Sequence, residues 1–266
     1  MSTLTYYPRS KNEYSLRFNR DTSKKRGTAK LPQVFRKGNM QVVYPLDKVA
    51  SGPWVAVQSN GTTFAVLNRP RIEKKIGERS RDRLILKLLG SMSEGEIRSK
   101  VQALDQQSYS PFGLVCIIQH PDDGFKILNW EWDGRIMTSL DKQNKPQLWS
   151  TSAREEISAR RYRQHQWEKL ITLNGEPTED ILHDFHFSTQ VCNDLTPACK
   201  GIKEQTASIS EIYVREDSIS FHYHDGGPWI EMPSHQITIQ RAFGSQEDEK
   251  PLRQGVEIKP ENRLQA

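Results

Sequence analysis

The stretch Gly113 to Gln119, Gly-Leu-Val-Cys-Ile-Ile-Gln, constrains the fold more than any other part of the chain. It lacks the alternation of a strand with one wet face, so as a strand it belongs in a sheet covered on both sides. That requirement predicts a layered structure, and the rest of the sequence must supply neighbouring strands and covering helices. Neighbours are signalled on either side. Trp54 to Gln58 and Thr63 to Asn68 enclose Ser59-Asn60-Gly61, and Phe125 to Trp132 and Arg135 to Leu140 enclose Asp133-Gly134. Asn-Gly and Asp-Gly tolerate the positive φ that tight hairpins demand.

Helical cover comes from two regions. Ser80 to Leu89 carries Leu84, Ile85, Leu88 and Leu89 as one apolar stripe. Ser93-Glu94-Gly95-Glu96 is a capping box that opens a second helix, with Ile97, Val101 and Leu104 on one side. Arg154 to Leu170 reads as a helix with Ile157, Arg161, Gln164 and Trp167 near one line, and Thr178 to Phe187 as a shorter one with Ile181, Leu182 and Phe185 inward. Each helix pair is predicted to form one outer layer. The remaining strand candidates are Thr3 to Tyr7 and Tyr14 to Asn19, joined through Pro8 to Asn12, then Met40 to Tyr44, Gln190 to Cys192, Ser208 to Val214 and Ser218 to Tyr223. Thr22 to Lys30 reads as a loop. From Gly244 the chain is polar, which predicts one domain over residues 1–243 and a frayed tail over 244–266.

Composition narrows the class. In 266 residues no apolar run approaches the ~20 needed to cross a bilayer, so no transmembrane segment is expected. Arg9 is not followed by an apolar signal core, which predicts a cytoplasmic protein. Cys116, Cys192 and Cys199 cannot close into pairs and suit a reducing compartment. Cys116, within the apolar run, reads as a core residue, and tryptophans on strands (Trp54, Trp130, Trp132) likewise read as core. The net charge of +5 favours anionic ligands. Arg69, Arg71, Lys74, Lys75, Arg79, Arg81 and Arg83 cluster directly after Asn68, either as a basic rim or as a solvated face laced with Glu73, Glu78 and Asp82. They are not interleaved with stacking aromatics, which argues against nucleic acid. His183 with His186, and His222 with His224, could each share a face, but neither pair has a third ligand at a fitting spacing, so no metal site is predicted.

The chemistry concentrates at the N-terminus. Ser2 becomes the first residue once Met1 is removed, and a free α-amine with pKa near ~8 can take the hydroxyl proton of such a residue. The first hairpin places Asp21 at the same end of the sheet.

Met1-Ser2-Thr3-Leu4-Thr5-Tyr6, Asn19-Arg20-Asp21, Tyr44-Pro45 through Gly52-Pro53-Trp54-Val55-Ala56-Val57, and Asn60-Gly61 through Leu67-Asn68-Arg69 occur in the order found in the NRDE family, also called the transport and Golgi organisation 2 family. Val191-Cys192, Thr206-Ala207-Ser208 and His224-Asp225-Gly226 are similar to its bacterial members. The resemblance implies a relationship to N-terminal nucleophile hydrolases and an α+β, four-layer αββα sandwich. It implies Ser2 as nucleophile, Asp21 as the carboxylate that orients the amine, Arg20 as a neighbouring cation and Asn68 as an oxyanion-hole amide, with Asn19, Arg69 and Arg71 as binding residues. The sequence departs from the family at Ser2, where cysteine is usual, and at Thr22, where glutamate is usual. Thr151 and Ser152 lie at a helix entrance suited to an anion, where related hydrolases often carry an asparagine that this chain lacks.

The family's connections imply haem binding and intracellular haem trafficking, with haem as the transported ligand and with haem donor and acceptor proteins as partners. Another anionic small molecule would suit the same basic rim. The alternatives are an N-terminal nucleophile amidohydrolase or acyltransferase, or an acyl-coenzyme A binding protein. No axial ligand for haem is named by the sequence.

Overall fold

The computed structural model describes residues 2–27, 29–69, 80–81, 83–120, 124–151, 156–189, 195–201, 204–231 and 234–242. In chain order its strands are β1 (Ser2–Pro8), β2 (Tyr14–Ser23), β3 (Lys30–Lys37), β4 (Met40–Leu46), β5 (Val55–Gln58), β6 (Thr63–Asn68), β7 (Phe112–His120), β8 (Gly124–Trp132), β9 (Met137–Ser139), β10 (Gln147–Thr151), β11 (Glu204–Val214), β12 (Ser218–Asp225) and β13 (His235–Gln240). The helices are α1 (Arg83–Leu88), α2 (Glu94–Gln102), α3 (Glu156–Asn174) and α4 (Glu179–Phe187).

The strands form two antiparallel sheets. Sheet A has the order β10-β1-β2-β11-β12-β13, and sheet B the order β3-β4-β5-β6-β7-β8-β9. β7 contains the apolar stretch Gly113 to Gln119, and it lies inside sheet B between β6 and β8. Its odd positions, Val115 and Ile117, join Leu4, Phe18, Phe125 and Phe221 in the core between the sheets. Its even positions, Leu114, Cys116 and Ile118, pack with Leu84, Ile85, Leu88, Ile97 and Val101 of α1 and α2. Both faces are therefore dry, which is why the segment is apolar throughout. On the outer face of sheet A, α3 and α4 bring Trp167, Leu182 and Phe185 against Tyr7.

The helices depart from the sequence reading in detail. Ser93 caps α2 as expected, accepting from the Glu96 N–H, but the Glu96 carboxylate receives the Met92 N–H instead of reaching back to Ser93. The buried stripe of α3 is Ala159, Arg163 and Trp167, and Ile157 is 67% exposed. In α4, His186 is buried with Leu182 and Phe185, while Ile181 lies at the margin. The segment read as a loop after Asp21 continues β2 to Ser23 and then enters β3 at Lys30. Three strands went unread, β3, β10 and β13, and all three are sheet edges. Gln190 to Cys192 and the tail 244–266 lie outside the described residues. No described helix is long and apolar enough to cross a membrane.

Candidate functional site

The site follows from register. Ser2 pairs with Thr151 of β10 on one side and with Arg20 of β2 on the other. Arg20 pairs with Ser208 of β11, and Ser208 with Asp225 of β12. Residues directly opposite in an antiparallel pair share a face. Thr151, Ser2, Arg20, Ser208 and Asp225 therefore form one polar row across five strands, on the order of 19 Å long at ~4.8 Å per step. Ser2 shares a strand face with Leu4 and Tyr6, both in the core between the sheets, so the row faces sheet B. The next row inward begins Trp149, Leu4, Phe18, so the polar row marks the end of the apolar interior.

A bulge makes this row possible. Thr206 pairs with Asp21 and Ser208 with Arg20, leaving Ala207 as the extra residue of β11. In an unbroken strand Thr206 and Ser208 would share a face, whereas Asp21 and Arg20 cannot. The bulge turns Thr206 to the outer face with Asp21 and keeps Ser208 on the inner face with Arg20. There the Thr206 hydroxyl accepts the Cys199 N–H at 2.8 Å and donates to Asp21 Oδ1 at 2.6 Å.

Asp21 lies one residue beyond the partner of Ser2, which places it opposite the Ser2 amide end of β1. Its Oδ2 is buried without a hydrogen bond among the described residues. Burial raises its pKa, opposed by the chain's terminal ammonium, by the Arg163 guanidinium and by the Thr206 hydrogen bond. Arg163 is the residue that sequence reasoning missed. It is wholly buried on α3, donating from Nε to the Leu195 carbonyl at 2.9 Å and from Nη1 to Ser150 Oγ at 3.1 Å. Its i, i+4, i+8 spacing with Ala159 and Trp167 was a usable signal, masked by its charge.

Arg20 has a different partner. Its guanidinium donates to Asp47 Oδ2 and lies 4.0 Å above the Trp54 ring. Asp47 also takes the Val49 and Ala50 N–H groups on Oδ1, at 2.8 and 2.7 Å, and Arg26 on Oδ2 at 2.8 Å. Burial would raise the Asp47 carboxyl, but the Ala50 N–H, Arg26 and Arg20 hold it below the ordinary carboxylate range. One carboxylate thus ties the β4–β5 loop to the polar row. At the far end of that row burial raises Asp225, with Lys48 opposing the rise.

The other predicted residues separate. Asn19 lies on the outer face, where its Nδ2 donates to the His186 carbonyl at 2.8 Å and its Oδ1 meets His186 Nδ1 at 2.5 Å. Asn68 ends β6 opposite Phe112, half-buried, on the side of the strand that carries Phe64 and Val66. Arg69 pairs with Glu131 at 2.8 Å and lines the groove described next. Arg81 and Arg83 donate to the carbonyls of Pro111 and Ala50. Arg71, Lys74, Lys75, Arg79 and Ser152 lie outside the described residues.

A groove of about 610 Å³ opens beside Thr151, between the β10 edge of sheet A and strands β6 to β8 of sheet B, with α3 along its border. Leu67, Val115 and Trp149 give it apolar walls, and Arg69, Lys142 and Arg160 give it cations. Trp149 Nε1 donates to Asn129 Oδ1 at 3.1 Å, bridging the two sheets. Thr151 Oγ1 is buried in the wall without a partner among the described residues, and an unsatisfied buried hydroxyl costs about 1–3 kcal/mol.

The histidines pair otherwise than the sequence suggested. His183 and His224 both meet the Glu211 carboxylate, at 3.1 Å each, and Arg17 Nε donates to it at 2.8 Å. Burial would raise Glu211, yet these neighbours hold it far below the ordinary range. Among the described residues no three His, Cys, Asp or Glu side chains are arranged to hold a metal ion.

Two antiparallel sheets face to face, with the first residues of the chain at their polar end and helices packed on their outer faces, define the class of fold. The same architecture occurs in a Caenorhabditis elegans ortholog of N-acylethanolamine-hydrolyzing acid amidase, with a TM-score of 0.53 and 9% identity over 79% of this chain and 92% of that one. It recurs in two single-residue variants of the conjugated bile acid hydrolase from Clostridium perfringens, each with a TM-score of 0.53 and 9% identity, over 89% and 88% of this chain and 92% of theirs. At that identity the likeness is one of fold. The chain belongs to the transport and Golgi organisation 2 family, whose profile matches residues 1–225. No curated protein matches it in sequence.

Proposed function

We propose that this protein is a cytoplasmic carrier that binds haem in the groove beside Thr151 and hands it on to acceptor proteins. The observation that carries the reading is the groove itself, about 610 Å³ with apolar walls and the cations Arg69, Lys142 and Arg160 around them. Those features suit a flat apolar ring system bearing two carboxylates. Trp149 offers a stacking surface and the cations offer partners for propionates. Among the described lining residues none is His, Cys, Met or Tyr, so the walls grip the ring and its carboxylates and leave the iron to a donor or acceptor protein. Weak, reversible holding is what transfer requires. The fold reading goes with it: the two sheets and the helix pairs on their outer faces make the four layers of an αββα sandwich.

The test is an absorbance titration with haemin followed by transfer to a haem-free globin. Saturable binding that weakens in Arg160→Glu and Lys142→Glu supports the carrier. Absence of saturable binding overturns it. Competition by acyl-coenzyme A would redirect the same groove to that ligand.

A second reading, an N-terminal nucleophile amidohydrolase, is favoured by one observation: Asp21 Oδ2 is buried and unpartnered among the described residues, opposite the amino end of Ser2. Removal of Met1 would give that oxygen an ammonium to hold, and the Ser2 hydroxyl a base. This reading needs the Asn68 amide to turn toward Ser2 from the strand end. Intact-mass analysis tests it directly, because retention of Met1 leaves no free amine on Ser2.

A further inference from the structure

One end of the molecule gathers exposed lysines and exposed apolar side chains that neither the groove nor the polar row uses. β2 and β12 both pair antiparallel with β11, so they run in parallel and end together, at Ser23 and Asp225. In sheet B the end of β4 meets the start of β3, where Leu46 pairs with Lys30. Arg26 Nε donates to Asp47 Oδ2 at 2.8 Å, which ties these ends of the two sheets together. The short helical turn Lys24–Arg26, the start of β3, the β4–β5 loop and the β12–β13 loop therefore lie at the same end. Lys48 is within electrostatic range of Asp225, and Lys200 places its Nζ 5.2 Å from the centre of the Trp229 ring. Here Leu31 is 47%, Val49 72% and Ile230 44% exposed, each on a different segment. Lys24, Lys25, Lys30, Lys48 and Lys200 are exposed around them, and Trp229 is half-buried. Among the described residues of these segments Glu231 is the one exposed acidic side chain, because Asp47 is buried against Arg20 and Arg26.

We propose that this end is a docking surface for a membrane that carries anionic lipids, with Leu31, Val49 and Ile230 entering the headgroup region and the lysines meeting the lipid phosphates. The pairing of side-chain types sets the partner. A nucleic acid would satisfy the five lysines and leave the three aliphatic side chains in water. An apolar groove on another protein would take the aliphatic tips and strip water from the lysines without giving them partners, which is costly. An anionic bilayer surface accepts both: aliphatic side chains sit at headgroup depth, while lysine stems lie along apolar surface and hold their ammonium groups among phosphates. The Trp229 indole, apolar in body with a polar N–H, suits the same depth. Singly scattered apolar residues need no explanation, but three at the tips of separate segments at one end, ringed by like charges, mark an interaction surface. The inference goes beyond haem transfer and does not depend on it, since none of these residues lines the groove.

The experiment is co-sedimentation of the full chain with vesicles of phosphatidylcholine containing about 30% phosphatidylserine, against vesicles of phosphatidylcholine alone, at about 0.1 M salt. The wild type is expected to sediment with the anionic vesicles, to stay in solution with the neutral ones, and to be released as salt rises toward about 1 M. The Lys24→Gln/Lys25→Gln double variant should bind the anionic vesicles more than about tenfold more weakly, at about fivefold per charge lost. Val49→Ser should weaken binding about fivefold through lost apolar burial. Lys37→Gln, an exposed lysine at the other end of β3, should bind as the wild type does, and thermal melts should show all variants folded. No binding to the anionic vesicles, or equal binding to the neutral ones, overturns the proposal. Undiminished binding in Val49→Ser also overturns it, because the surface would then act only as a polycation. So does an equal loss in Lys37→Gln, which would mean that net charge and not this end decides the contact.

Discussion

Replacing Glu211 by glutamine should unfold the outer face of sheet A before it disturbs the groove. Glu211 is buried and accepts four hydrogen bonds, from Arg17 Nε at 2.8 Å and from His183 Nδ1, His224 Nε2 and the Tyr213 hydroxyl at 3.1 Å each. Glutamine keeps the shape, removes the charge and turns an NH2 toward a set of donors. Breaking a buried ion pair by removing one partner costs about 3–5 kcal/mol. Arg17 retains Glu179, through its carboxylate at 2.8 Å and its carbonyl at 3.0 Å, so the lower end, about 3 kcal/mol, applies. In a chain of this size that corresponds to a melting temperature lower by roughly 6–12 °C. The pH dependence supplies an independent check. A carboxyl whose folded pKa is depressed contributes stability above its unfolded pKa, near ~4.3, and loses it as pH falls toward the folded value. The wild type should therefore lose stability below about pH 4.5 more steeply than Glu211→Gln. Urea denaturation at pH 7 and across roughly pH 3–5 measures both effects. A loss under about 1 kcal/mol, or acid limbs of equal slope, would refute the claim that this carboxylate is a paired charge holding α4 to the sheet.

His186 should add a second acid sensitivity at higher pH. Its ring is buried neutral, with burial and the nearby Arg17 holding its pKa well down, so the unfolded chain takes up the proton first and stability falls as pH drops below ~6.5, by at most about 1.4 kcal/mol per unit; His186→Gln should flatten that slope in urea titrations between about pH 7.5 and 5. Asp47→Asn should cost about 1–3 kcal/mol by unpairing Arg20 and Arg26, and limited proteolysis should cut sooner near Val49, which is 72% exposed. Trp149→Ala should weaken haemin binding about tenfold or more by removing the stacking face and the bridge to Asn129. If haemin affinity is unchanged there, the groove is not where haem binds.

The parts of the fold that could be read were those in which local chemistry and tertiary structure agree. Asn60-Gly61 and Asp133-Gly134 carry their own turn geometry, Ser93 caps α2, and Gly113 to Gln119 has the unbroken apolar pattern of a strand covered on both faces. β3 went unread because Lys30-Leu31-Pro32-Gln33-Val34-Phe35-Arg36-Lys37 has a proline and charged ends, the composition of an edge. Its strand state is imposed by pairing with β4, and Phe35 stacks on Tyr44 at 4.2 Å. Arg163 misled in the opposite direction. It went unnamed because charge ordinarily marks an exposed position, and its burial is tolerable because the Leu195 carbonyl and Ser150 Oγ, from distant segments, receive its hydrogen bonds.

The site is harder to read than the fold because it is a product of register. Ser2 and Asp21 could be brought together from the first hairpin alone, since their separation is set by one short turn. The other members of the polar row come from β10, β11 and β12, and their alignment depends on the single extra residue Ala207. A period of two leaves no tolerance: one residue more or fewer in β11 exchanges the faces of every side chain beyond the slip. Without the bulge Thr206 and Ser208 would point the same way, and either Asp21 would lose its hydroxyl partner or Arg20 would lose its neighbour in the row. The bulge therefore separates two tasks on adjacent residues of β2, holding a carboxylate toward the chain's amino end on the outer face and a paired guanidinium toward sheet B on the inner face. Asn-Arg-Asp carries that division in its order, because successive residues of a strand face apart, but which face held which task was fixed only when sheet B and Trp54 closed over Arg20.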